Sequence, residues 1–69
     1  MKQKYRFIFR YDGEIGQTLH ECRPGDADRI AEQLARMIGR RYKAADVVCI
    51  WRGPASDAVP RQLIAEVSA

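Results

Sequence analysis

The chain has little of what most catalytic signatures are made from. Its 69 residues include one histidine, two cysteines and one tryptophan, with five glycines and three prolines. His20, Cys22 and Cys49 lack the C-x-x-C spacing of a zinc site, and no fourth ligand is evident. A Cys–His nucleophile fails for another reason. Side chains two apart on a strand point the same way but lie too far apart for the hydrogen bond that activates a thiol, and nothing supplies an oxyanion hole. Gly13, Gly16 and Gly25 have the spacing of turns, not of a phosphate cradle. No metal or cofactor is therefore expected, and the chain reads as non-enzymatic.

Long apolar runs are also missing. Nothing approaches the ~20 apolar residues of a membrane span. The basic-then-apolar start is broken repeatedly by arginine and lacks a small-residue cleavage site. No membrane association is expected; the location expected is cytoplasmic, with both cysteines reduced. Nor is there an excess of acid: 12 Lys and Arg against 9 Asp and Glu leave a net charge of +3. That excludes a protein that mimics nucleic acid by negative charge, and it permits phosphate or acidic-protein partners.

What remains is a folded composition, 46% hydrophobic and 30% charged. Residues 1–69 form a single domain. A chain this short buries only about 60% of its unfolded surface, so its core is modest, and self-association as a homodimer would support it.

The chain is organised around residues 4–11, KYRFIFRY. Strand side chains alternate with a period of two. Tyr5, Phe7, Phe9 and Tyr11 therefore share one face, the floor of the core, while Lys4, Arg6, Ile8 and Arg10 share the other. Asp12-Gly13 is a strong hairpin signal, because glycine accepts positive φ without strain. Residues 15–22 return antiparallel, with Gly16 marking a bulge or the end of a longer turn. Arg23-Pro24-Gly25-Asp26 closes this unit, and Asp26 is the expected helix N-cap.

Ile30, Leu34, Met37 and Ile38, flanked by Ala27 and Ala31, form the apolar stripe of one helix. The run Arg40-Arg41-Tyr42-Lys43 puts positive charge where the helix dipole welcomes it. Residues 46–52, DVVCIWR, form a third strand. Simple alternation sends Val47, Cys49 and Trp51 to one face, and Val48 and Ile50 to the other. That parity makes Trp51 a core residue. Cys22 and Cys49 could then be sheet neighbours. For residues 62–68 a closing strand is preferred to a short helix. The expected architecture is α+β: a small antiparallel sheet in the order β-β-α-β-β, with one helix packed on one face.

The partner-binding residues expected from this plan are Lys4, Arg6, Ile8, Arg10 and Arg52, on the sheet face away from the helix. The ordinary reading of such a row is a solvated face whose charges discourage edge-to-edge aggregation. Ile8, with Val48 and Ile50, adds apolar area there, which favours a protein partner. The alternative is a nucleic-acid-binding module using the same basic row, although parity sends the strand-one aromatics away from it.

The hairpin at Asp12-Gly13, the helix from Asp26, the apolar strand 47–51 and the segment Pro60-Arg61-Gln62-Leu63 together resemble the small phage-encoded anti-CRISPR proteins. The resemblance lies in size and element order across most of the chain and carries over no functional residue. It implies an inhibitor that binds a bacterial protein or ribonucleoprotein complex, such as a CRISPR surveillance complex, in the host cytoplasm and blocks it without catalysis.

Overall fold

The computed structural model describes residues 1–63. Strand β1 runs Gln3–Tyr11, β2 Glu14–Cys22 and β3 Val48–Pro54; helix α1 covers Ala27–Tyr42 and follows a 3₁₀ turn, Pro24–Asp26. The sheet order is β2-β1-β3, with both neighbours antiparallel to β1. Strands β2 and β3 thus run parallel to each other on either side of β1. The α1 crossover between them makes a split β-α-β unit. The fold is α+β.

Local chemistry explains each junction. Asp12 and Gly13 both have positive φ, 51° and 76°, as a two-residue type I′ hairpin turn requires. It sets Tyr11 opposite Glu14, and the register then runs unbroken to Gln3 opposite Cys22. Gly16 is therefore not a bulge. Asp26 is the N-cap of α1, but its φ and ψ of −98° and 0° belong to the preceding turn, and its side chain makes no capping hydrogen bond. It pairs loosely with Arg29 instead, at 3.6 Å. At the other end Lys43 turns left-handed at φ 54°. The Gly39 carbonyl accepts from the N–H groups of both Lys43 and Ala44.

The core is the aromatic face of β1 under the helix. Phe7 and Phe9 are fully buried and Tyr5 nearly so, each Phe contributing roughly 1.5–3 kcal/mol. Ala27 and Ala31 are the buried helix residues; their small side chains let α1 approach these rings, while Ile30, Leu34 and Ile38 pack around them half-buried.

Two expectations are corrected here. The β1–β3 register shifts between Ile8 and Phe9: Ile8 faces Trp51, but Phe9 faces Cys49. Ile50 is the extra residue of a β-bulge, and an inserted residue reverses every later side chain. Cys49 accordingly packs toward the core, whereas Trp51 lies on the opposite face. The expected fourth strand over residues 62–68 does not begin where it was placed. Residues 61–63 form a helical turn, with the Leu63 N–H donating to the Pro60 carbonyl at 3.0 Å. Residues 64–68 lie outside the described residues.

Candidate functional site

Lys4, Arg6, Ile8 and Arg10 do share the face of β1 turned away from α1, and the register flanks them with Ile15, Gln17 and Leu19 on β2 and with Val48, Trp51 and Gly53 on β3. Lys4 and Arg10 are exposed and Arg6 is half-buried. Ile8 is only 1% exposed. It belongs to the packed interior of the sheet and offers a partner no apolar anchor, contrary to expectation. Trp51 supplies the aromatic group on this side. Its ring tip lies over Gly53, where an added methyl would fall 3.0 Å from Cη2. Gly53 sits opposite Arg6, so the indole stands beside the basic row.

Arg52 does not join that row. The bulge sends it to the helix side, opposite Phe7, where its guanidinium pairs with Asp28 of α1. Both groups are substantially exposed, so the pair is worth at most about 1 kcal/mol. Its chief effect is to tie β3 to the first turn of the helix.

The sulfur and imidazole groups do not converge. Cys22 stands opposite Gln3 on one side of β1, and Cys49 opposite Phe9 on the other. Six residues of strand, about 20 Å, separate the two levels. The cysteines are both free thiols and are not sheet neighbours. Burial, and secondarily the negative charge of Asp26, pushes the Cys22 thiol pKa up from 9.0, which disfavours the nucleophilic thiolate. His20 is exposed, and its Nδ1–H donates to the Glu21 carbonyl at 2.8 Å. Among the described residues, no three His, Cys, Asp or Glu side chains gather to hold a metal ion.

A concavity lies on the helix side. A groove of about 560 Å³ runs between the hairpin and the C-terminal half of α1, within the size range of ligand clefts. It exists because α1 packs over β1 and β3, while the helix-facing positions of β2 beside it are the small residues Gly16 and Thr18. Phe9 and Thr18 line the hairpin side, and Leu34, Met37 and Ile38 the helix side. Met37 and Tyr42 remain 56% and 54% exposed.

Tyr11 and Tyr42 stack at one end, with ring centroids 5.5 Å apart. The Arg41 guanidinium lies 5.9 Å from the Tyr42 centroid, and Arg40 also lines the groove. Gly16 makes room for this arrangement, since a methyl there would come within 3.0 Å of the Tyr11 hydroxyl. Tyr11 packs against the core, as its parity predicts, and also lines the groove; Arg40 and Arg41, expected to complement the helix dipole, line it as well. The signal that could have revealed the groove was the pairing of small residues on β2 with an apolar helix stripe that extends to Met37.

Neither a protein-family model, nor a curated protein, nor a solved structure matches the chain. No helix among the described residues is long and apolar enough to cross a membrane.

Proposed function

We propose that this chain is a non-catalytic binding domain that acts in a host cytoplasm by occupying and blocking a bacterial protein or ribonucleoprotein complex. One observation carries the reading: Tyr11, Tyr42, Met37, Arg40 and Arg41 gather around a single apolar groove. Aromatic residues, methionine and arginine are the types enriched at protein interfaces. A large exposed Met and Tyr beside two arginines are more than a solvated helix face requires. The affinity-tagged chain is expected to capture one defined complex from bacterial lysate, with or without nuclease. The Met37→Asp/Tyr42→Asp double variant, with the same circular dichroism, is expected to lose it. Capture unchanged by the double variant would end this assignment of the site.

Trp51 beside Lys4, Arg6 and Arg10 favours a second reading, in which the outer face stacks on and neutralises a nucleic acid. Capture abolished by nuclease, and falling steeply with salt as counterion release is lost, is the result that reading requires.

A further inference from the structure

We propose that the edge of β2, unpaired among the described residues, takes up an extended, acidic segment of a partner protein as an added strand, with alternate side chains of that segment entering the groove beside α1. This rests on the protein-binding reading above and specifies how the partner is held.

The backbone argument comes first. In a two-residue hairpin the closing pair, here Tyr11 and Glu14, exchanges both of its hydrogen bonds, and bonded and unbonded pairs then alternate. Along β2, residues Gly16, Thr18, His20 and Cys22 therefore spend their N–H and C=O groups on β1. Ile15, Gln17, Leu19 and Glu21 direct theirs outward, to the side where the sheet order ends. Edge strands are ordinarily guarded by bulges, prolines or charges, above all lysine. Strand β3 has such guards, with a bulge at Ile50, Arg52 and Pro54. Strand β2 is nine residues, EIGQTLHEC, with no lysine, arginine, proline or register shift. Of the two edges, β2 is the one built to accept another strand.

The side chains then define the occupant. A strand added to this edge lies about 4.8 Å beyond β2 and sends every second side chain to the helix side. There Gly16 and Thr18 leave space, and the groove offers Leu34 and Met37 along its length with Arg40 and Arg41 near the Tyr11–Tyr42 stack. Among the described residues, no Asp or Glu lines it; Glu14 and Glu21 stand near the two ends of β2, outside it. The complementary segment carries an apolar residue and an acidic residue two positions apart. Main-chain bonds provide affinity and these two positions provide selectivity, as in other strand-addition sites.

The test is to pan a phage-displayed library of random nine-residue peptides against the full chain and to measure the enriched peptide by fluorescence anisotropy. Enrichment of an apolar and an acidic residue at i and i+2 is expected. Gln17→Pro removes an outward N–H that β1 does not use, and Arg40→Glu/Arg41→Glu reverses the groove charge. Each is expected to weaken binding at least tenfold. Peptide addition should slow amide hydrogen exchange at Ile15, Gln17 and Leu19 and leave the β1-bonded amides unchanged, a readout that holds even if Gln17→Pro does not fold. No enriched pattern, or unaltered exchange at those amides, overturns the proposal. So does light scattering that shows a dimer dissolved by Gln17→Pro, since a second copy would then own the edge. Lysate capture that survives a folded Gln17→Pro variant but not Met37→Asp/Tyr42→Asp removes strand addition and leaves the protein-binding reading intact.

Discussion

Tyr11 and Tyr42, the last residues of β1 and α1, stack with their ring planes 25° apart. This contact pins the C-terminal end of the helix over the hairpin and holds one end of the groove. Aromatic pairs contribute about 0.5–1.5 kcal/mol beyond their area. Tyr42→Ala is expected to lower stability by roughly 1 kcal/mol in urea titrations, and Tyr42→Phe to leave it nearly unchanged. Equal losses in both variants would mean that the Tyr42 hydroxyl, not the stack, secures the helix.

Ile8 separates a packing residue from a contact residue. Because it is fully buried, Ile8→Asp places an unpaired carboxylate inside the sheet, which costs several kcal/mol. The variant should be unfolded at 25 °C by circular dichroism. Phe7→Ala should cost about 3–5 kcal/mol by loss of core volume. A folded Ile8→Asp protein would mean that this position is open to solvent.

Lys43 adopts a left-handed backbone that costs an L-residue with a Cβ roughly 1–2 kcal/mol. Glycine carries no such penalty and is the common residue where helices end this way. Lys43→Gly should therefore raise stability by about 1 kcal/mol, moving the melting temperature up by roughly 4–8 °C in a domain of this size. A lower melting temperature would show that the lysine side chain contributes more than its backbone costs.

Cys22 gives the fold an alkaline limit. Its pKa in the folded protein is raised above 9.0 by burial and by Asp26. Between the unfolded and folded values the native state holds the proton and the unfolded state does not, so stability falls as pH rises through that window. Its contribution is complete below pH 9 and shrinks above it. Urea midpoints of wild type and Cys22→Ala, compared from pH 7 to pH 10.5, should show a steeper alkaline loss in wild type. Parallel curves would assign the alkaline loss to other groups.

Much of the architecture was legible in the residues themselves. The alternation in β1 identified Tyr5, Phe7 and Phe9 as the floor, Asp12-Gly13 identified the turn, and the Ile30–Leu34–Ile38 spacing identified the helix face. Trp51 and Arg52 were misplaced for one shared reason. Counting by twos assumes an uninterrupted ladder, and nothing about an isoleucine among apolar neighbours announces that Ile50 has no partner on β1. Ile8 was misjudged because parity reports which side a residue faces, not whether that side is covered. The groove escaped for a different reason: its two signals, the small residues of β2 and a helix stripe that reaches Met37, sit in separate elements, and only the distance between α1 and β2 joins them.

The bulge at Ile50 leaves one residue of slack in β3. Removing that residue would close the ladder with the rest of the pairing intact: Cys49 would still face Phe9, Trp51 would face Ile8 and Arg52 would face Phe7. Each side of the sheet would keep its side chains, since the deletion takes away the one residue that has no partner on β1. A three-nucleotide deletion at this codon is thus an indel the sheet can absorb. The same deletion within β1, which is paired on both sides, would send every later side chain of the central strand to the other face.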